Sequence, residues 1–470
     1  MIRLIHTADW HLGNTMHDED RSGEQREFLH WLRQTVAEQK ADTLVVSGDV
    51  FDVNNPSNEA KKMYYSFLAS LLDTECRNVI VVGGNHDSGD MLDTTRDIFD
   101  ALNIHVIGKL GERTLRDLVF ELKGRDGECE AICAAIPFLR ESVLRKYYEA
   151  SYEREGLEVP SGSEWDTAEV KFNDRAYGEL YRQILEEIDA RKDGRSLPVI
   201  VTGHLYAAGL EGRYGDIEKT CDAADRNREV VTDDGVLQLD VRGKLGKVHS
   251  NIFPKEFTYV ALGHIHYQTR VGGEERIRYS GSPFVMGFED ANIPRCVLQV
   301  DLDSAESENN VPVVEQLEVP KTNLYRRITG SREEILRKIK ELAEQLRNGE
   351  DASSYENIFL EIMYETADRA YLESAIEELK LPGQMKILHW KRKRDDVDRY
   401  GVFREYSMTQ MKELSVEEVA ESLIRSWMSI DPDGSKEEEL RLKELVEMYL
   451  PYFKEAEAKV KVADKDSDSV

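Results

Sequence analysis

Cysteine is scarce in this chain of 470 residues: there are five, at positions 76, 129, 133, 221 and 296, and they form no paired Cys-x-x-Cys framework. An odd, scattered set excludes a disulfide scaffold and fits reduced thiols. Cys129 and Cys133 flank a strand-like run with no matching second pair, so they read as structural. Long apolar runs are lacking as well, and no stretch of eighteen apolar residues offers a transmembrane helix. The opening Met1 to Asp9 has neither the apolar length nor the small-residue cleavage site of a signal peptide, so the expected compartment is the cytoplasm, with no membrane partner. Net positive charge is absent too: the formal value of −29 excludes a generally basic, DNA-coating protein. It does not exclude a nucleic-acid substrate, because the Debye length is about 8 Å at physiological salt and distant carboxylates are screened from a local groove. A phosphate-binding loop is also missing, since Gly243-Lys244 and Gly246-Lys247 lack the preceding glycine spacing and the hydroxyl. Any ATP hydrolysis must therefore come from a partner.

What the sequence does have is a repeated strand ending. Asp42 to Ser47 is an apolar, β-branched run that ends in Gly48 and Asp49, which reads as a buried strand delivering a carboxylate to the carboxyl edge of a sheet. Open α/β sheets place their active sites at that edge. The pattern recurs where Ile2 to His6 leads to Asp9 and His11, Val79 to Val82 to Asn85 and His86, Val199 to Thr202 to His204, and Thr258 to Leu262 to His264 and His266. One Gly-Asp after a strand is usually a turn. Five endings rich in Asp, Asn and His, with no Cys among them, suit hard-to-borderline divalent metals, and two ions rather than one.

The length implies two or three domains. Residues 1 to about 110 alternate strand and helix as a parallel βαβαβ unit, with Phe28, Leu32 and Val36 on one face of a helix from about Glu24 to Glu38. Shorter strands follow from Arg113 to Pro137. A polar piece, 150–165, leads to a helix over about 168–190. Strands at Pro198 to Thr202 and Phe257 to Leu262 and a hairpin-like Arg276 to Val300 complete a first domain, 1–320. A small α+β unit, 321–400, has strands at Tyr325 to Ile328, Ile358 to Tyr364 and Met385 to Trp390, with helices at Ser331 to Arg347 and Asp368 to Leu379. A helical segment, 401–470, has amphipathic helices at Val416 to Ser429 and Lys436 to Ala456 and a disordered acidic tail.

Together the endings read Asp9-x-His11, Gly48-Asp49-x-x-Asp52, Gly84-Asn85-His86-Asp87, Gly203-His204 and Gly263-His264-x-His266. This resembles the signature of the calcineurin-like metallophosphoesterases, matched in order at every segment. The resemblance implies an α/β sandwich of two sheets flanked by helices. It also implies that Asp9, His11 and His266 hold one divalent ion, that Asn85, His204 and His264 hold the other, and that Asp49 bridges them. A shared carboxylate suits two cations about 3.5–4 Å apart that clamp an in-line phosphoryl transfer. His86 directly follows a ligand and is the candidate acid for the leaving oxygen. Asp52, by the same resemblance, would orient His86 and hold it protonated. Alone, Asp52 reads equally as a turn cap; the joint occurrence carries the metal reading. His6, His17, His30, His105, His249 and His389 read as packing or surface residues.

The stretches Ile5 to Gly13, Gly48 to Asp52, Gly203 to Leu205 and Tyr279-Ser280-Gly281-Ser282-Pro283 resemble more narrowly the nuclease subunits of SbcCD-type DNA repair complexes. That family implies a manganese-dependent nuclease: a 3′-to-5′ exonuclease on duplex ends and an endonuclease on single strands and hairpins. It implies a capping role for 321–400 and a coiled-coil ATPase partner docked on the helical end. Val416, Val419, Leu423 and Trp427, then Leu440, Leu442, Leu445, Val446 and Tyr449, are the docking candidates there, with intramolecular docking as the alternative. It also implies a homodimer within a heterotetramer, with Met63, Tyr64, Phe67, Leu68, Leu71 and Leu72 as an apolar dimer face or, alternatively, ordinary sheet packing. The acidic stretches 150–193 and 209–234 depart from a compact family member. Lys386, His389, Trp390, Lys391, Arg392, Lys393 and Arg394 form a basic run suited to sequence-independent phosphate contact, or to a charged strand edge that blocks aggregation. The alternatives are a nucleotide or small-molecule phosphodiesterase on the same fold, against which the extra domains tell, and a non-catalytic scaffold, which would have lost ligands.

Overall fold

The computed structural model describes residues 2–159, 169–207, 210–211, 248–303, 311–349, 354–364 and 369–392, with scattered positions between 442 and 454. In chain order the described strands are β1 Ile2–Thr7, β2 Thr15–Met16, β3 Glu19–Asp20, β4 Thr43–Ser47, β5 Asn78–Val82, β6 Ile104–Ile107, β7 Val119–Lys123, β8 Cys129–Ile136, β9 Val199–His204, β10 Leu210–Glu211, β11 Tyr259–Gly263, β12 Thr269–Val271, β13 Glu274–Tyr279, β14 Cys296–Leu302, β15 Val313–Glu318, β16 Asn323–Gly330, β17 Asn357–Tyr364 and β18 Met385–Arg392. The helices are α1 Ser22–Glu38, α2 Asn58–Leu71, α3 Gly89–Asp93, α4 Arg96–Asp100, α5 Glu141–Glu155, α6 Glu169–Lys192, α7 Arg332–Arg347 and α8 Arg369–Glu378.

Two large sheets face each other, ordered β15-β14-β1-β4-β5-β6 and β10-β12-β13-β11-β9-β8-β7. Pairings β1–β4, β4–β5 and β5–β6 are parallel, as the βαβαβ pattern requires. In the second sheet β8, β9, β11 and β13 run parallel. The runs in β4 and β5 are buried at every residue, because both of their faces are covered. Val45, Ile80 and Val82 pack toward the second sheet. Leu44, Val46, Val79 and Val81 join the cluster that holds α1 and α2. Each such fully buried aliphatic side chain contributes about 1.5–3 kcal/mol. The architecture is thus an α/β sandwich of two sheets flanked by helices.

Two expectations change, and one pair of alternatives is decided. Arg276 to Val300 is not a hairpin: β13 pairs with β11 and β12, whereas β14 pairs with β1 and β15 in the other sheet. Residues 150–155, expected as part of a polar piece leading to the next helix, instead finish α5, whose Leu144, Tyr147, Tyr148 and Ser151 are buried at helical spacing. The α2 stripe is internal: Met63, Tyr64, Phe67, Leu68 and Leu71 belong to the core, and only Leu72 stands half exposed. The apolar face is therefore sheet packing, not a free dimer surface.

The α+β unit carries the sheet β16-β17-β18. Its helix α7 starts at Ser331 with a reciprocal capping box to Glu334, which satisfies two otherwise orphaned amides. A separate apolar cluster of Ile335, Ile339, Leu342, Ile358, Leu360 and neighbours stabilises it. Met1–Tyr364 and Asp368–Lys391 form one compact unit. In the second unit, the described positions from Leu442 to Lys454 are helical and Leu442 is buried. The expected helix at Val416 to Ser429 and the acidic tail lie outside the described residues, as does 212–234.

Candidate metal centre

β1, β4, β5, β9 and β11 all end at one edge of the sandwich, and the loops beyond them bring Asp9, His11, Asp49, Asn85, His204, His264 and His266 together. Close approach demands glycine at three of these ends, Gly48, Gly84 and Gly263. A Cβ on Gly48 would lie 2.3 Å from His204 Nδ1, and one on Gly84 would lie 2.1 Å from Asp49 Oδ1. The backbone is strained where the side chains converge: Asp9, His11, Asp49 and His264 have φ of 53°, 44°, 49° and 108°. Such conformations cost about 1–3 kcal/mol each and persist only where neighbours fix them. Here Asp9 N donates to Gly48 O and His11 N to Asp49 O, both at 2.9 Å, and His264 N donates to the Asp9 carboxylate at 2.9 Å.

On one side, His11 Nε2 and His266 Nε2 face each other at 3.3 Å, and the two rings share a cluster of potential ligands with Asp9. On the other, Asn85 Oδ1 lies 3.0 Å from His204 Nε2 and 3.1 Å from His264 Nδ1. Asp49 Oδ2 stands between, 3.3 Å from His204 Nε2 and 3.7 Å from His11 Nε2. His204 Nδ1–H donates to Ser47 O at 2.9 Å, which fixes the tautomer and leaves the Nε2 lone pair aimed at two oxygens. Lone pairs converging without a proton between them are what a cation resolves. His264 Nε2 is buried and has no hydrogen-bond partner. The residues present therefore fit divalent ions.

Electrostatics agree. Burial, with the Asp49 charge adding to it, pushes Asp9 up to about 7 against the pull of His204 and His11. Burial would raise Asp49 as well, but His204 and His11 hold it well below the usual carboxylate range. Burial would depress His204, but Asp49 and Asp9 reverse it, to about 9. Burial and the neighbouring His204 charge lower His264 to about 3. Without a cation the cluster must share protons it holds unevenly; with one, all its carboxylates and imidazoles can be deprotonated together.

His86 is exposed at the rim. Its amide donates to Asp49 Oδ1 at 2.9 Å, and its Nδ1 lies 2.8 Å from the main-chain oxygen of Asp52. Asp52 thus holds His86 as expected, but through its main-chain carbonyl and not through its carboxylate. The carboxylate faces His11 Nδ1 at 3.5 Å and accepts from Asn14 Nδ2 at 3.1 Å. Burial would raise the Asp52 carboxyl, but the bonds from His11 and Asn14 outweigh it and keep it low. Two supports were not anticipated. The buried Asp87 carboxylate accepts from Gly84 N, Val50 N and Phe51 N at 2.8, 3.1 and 2.9 Å and so locks two ligand loops together; its signal was its place beside Asn85-His86. Arg295 donates to His266 O at 2.8 Å, with no sequence signal. Tyr279, from the Tyr-Ser-Gly-Ser-Pro stretch, donates to Leu205 O and accepts from Ala207 N, both at 2.7 Å, which fixes the loop beyond His204.

The basic run is partly neutralised. Lys386 pairs with Glu19, and His389 Nδ1 lies 2.9 Å from Glu361 while its ring stacks on His17 at 4.3 Å. Lys393 and Arg394 lie outside the described residues.

Residues 2–268 match the family model of the calcineurin-like phosphoesterases. An SbcD-type subunit of nuclease SbcCD from Rhodobacter capsulatus is 31% identical over 73% of this chain and 76% of its own length. This chain belongs to that family. The corresponding subunit from Escherichia coli is 29% identical over 89% of this chain and 91% of its own length, and that from Bacillus subtilis is 29% identical over 65% and 67%. Membership makes the chain a metal-dependent nuclease, a hydrolase of phosphodiester bonds. Among the described residues no helix is long and apolar enough to cross a membrane.

Proposed function

We propose that the chain is the DNA-cleaving subunit of an SbcCD-type complex, acting as a 3′-to-5′ exonuclease on duplex ends and as an endonuclease on single strands and hairpins. The observation that carries the reading is the convergence of five strand ends on Asp9, His11, Asp49, Asn85, His204, His264 and His266. In this reading Asp9, His11 and His266 hold one ion, Asn85, His204 and His264 the other, and Asp49 both; manganese suits this mixed oxygen and imidazole set. When bound, two such ions activate water and neutralise the phosphate charge. The chain supplies the rest. His86, whose Nδ1–H is engaged by the Asp52 carbonyl, presents Nε2 to the leaving oxygen and gives it a proton. Asp52 steadies His11, and Asp87 keeps the Asp49 and Asn85 loops in register.

Residues 1–320 form the nuclease domain, 321–400 cap the DNA, and 401–470 dock a coiled-coil ATPase, which supplies the ATP hydrolysis this sequence lacks. The cytoplasmic assembly is a homodimer of this chain within a heterotetramer. The test is digestion of end-labelled duplex DNA with manganese, with and without the ATPase, by wild type, Asp49→Asn and His86→Gln. Loss of cleavage in both variants is expected. Brisk hydrolysis of a small phosphodiester with no cleavage of DNA would refute the nuclease reading.

A further inference from the structure

Arg21 is an arginine only 2% exposed, at the start of α1. Its Nε donates to Glu24 Oε2 at 2.9 Å, and its Nη1 donates to Val285 O at 2.7 Å and to Asn14 Oδ1 at 3.2 Å. The guanidinium carbon sits 5.2 Å from the ring centre of Tyr325 on β16, and the Tyr325 hydroxyl donates to the same Glu24 oxygen at 2.9 Å. Asn14 in turn donates to Asp52 Oδ1 at 3.1 Å, and its amide donates to His11 O at 2.9 Å. A continuous path of polar contacts therefore runs from Tyr325, in the α+β unit, through Glu24, Arg21 and Asn14 to the carboxylate beside His11. A buried, always-charged fork with three separate acceptors is a poor way to fill space and a good way to fix relative position.

We propose that Arg21 is a positioning residue: it orients Asn14, and through it Asp52, and makes the geometry of the site depend on the seating of the α+β unit at Tyr325. The proposal rests on the reading that Asp52 and His11 serve phosphodiester hydrolysis. It predicts that what presses on the α+β unit, DNA included, reaches the chemistry through this path and not through the metal ligands themselves.

The test uses the full chain with manganese and the small substrate bis(4-nitrophenyl) phosphate. Arg21→Lys keeps a charge for Glu24 but cannot also hold Asn14 and Val285. Arg21→Lys and Asn14→Ala should each lower kcat about tenfold with KM little changed, and the double variant should fall no further than the worse single one. Tyr325→Phe keeps the ring and loses one hydroxyl; it folds normally and should lower kcat about threefold. A merely structural Arg21 predicts lower melting temperatures with kcat per folded molecule unchanged, and that result, or independent effects that multiply in the double variant, overturns the proposal. The same cycle read by denaturant unfolding of the metal-free chain separates the two readings. Coupled stabilities with a wild type inert to phosphodiesters would sink the functional reading while leaving the path in place, and additive stabilities would sink the path whatever the enzyme does.

Discussion

Gly263, the last residue of β11, packs against Ser47 of β4 in the other sheet. A Cβ there would sit 1.8 Å from Ser47 O and 3.0 Å from Ala8 Cβ. Real Cβ contacts begin near 3.0 Å, so Gly263→Ala must drive the sheets apart by about 1.2 Å. The atom it meets is main chain, which cannot swing away, and Ser47 O is also the acceptor that fixes His204 Nδ1 at 2.9 Å. The displacement therefore falls between the loops carrying Asp49, His204 and His264. Overpacking of this kind costs about 3 kcal/mol, and misplacing a reacting group by about 1 Å costs about 10²-fold in rate. Gly178→Ala is the control: in α6 an added Cβ meets nothing within 4 Å, and alanine should stabilise by about 0.5–1 kcal/mol. Guanidinium unfolding and manganese-supported hydrolysis of a small phosphodiester measure both. If Gly263→Ala unfolds within about 0.5 kcal/mol of wild type and keeps its rate, the idea that the site depends on this contact is refuted.

His6 is fully buried, accepting from Tyr259 Oη at 2.9 Å and donating to Leu262 O at 3.2 Å, and burial lowers its pKa to about 3 despite the Leu262 bond. The unfolded chain takes up this proton near 6.5 and the folded chain only near 3, so stability is full above 6.5 and lost as pH falls, by up to about 1.4 kcal/mol per pH unit. Melting from about pH 7 to pH 4 should show a shallower decline in His6→Gln, and an identical slope would count against it. Asp52→Ala removes the carboxylate beside His11 but keeps the carbonyl that holds His86, so calorimetric titration should show manganese bound about tenfold more weakly. His86→Ala should leave that affinity alone and lower kcat about 10²-fold; the reverse pattern would exchange the two roles. Ser57 Oγ accepts from Ala60 N at 3.1 Å to cap α2, so Ser57→Ala should cost about 1 kcal/mol in urea unfolding.

Much of this was legible because strand and ligand are adjacent in sequence. Burial on both faces makes β4 and β5 continuous apolar runs, and the residue that must reach the sheet edge follows within a few positions. Helices with a clear stripe, such as α1 and α7, were equally plain. Sheet membership was not: β13 and β14 are near in sequence yet lie in different sheets, β13 beside β11 and β14 beside β1, partners that neither run announces. The α5 signal was diluted because two of its buried positions are tyrosines amid charged residues. Asp52 shows the limit at finer scale. Spacing brought it beside His86, but which atom makes the contact depends on loop conformation, and the side chain turned instead to His11 and Asn14.

The strained backbone explains why type and spacing could name the site without giving its geometry. A positive φ at Asp9, His11, Asp49 and His264 is a minority conformation even for Asp and His, which adopt it more readily than most residues, so residue type alone does not announce it. It is imposed by cross-loop amides, Asp9 to Gly48, His11 to Asp49 and His264 to the Asp9 carboxylate, which join residues tens to hundreds of positions apart. These bonds involve no metal and tie the converging loops to one another. The site is consequently built by the sandwich, and ions would enter a frame already formed. Chelation should therefore abolish hydrolysis while leaving the exchange protection of the β4, β9 and β11 amides largely intact, and collapse of that protection on chelation would show that the ions build the frame instead.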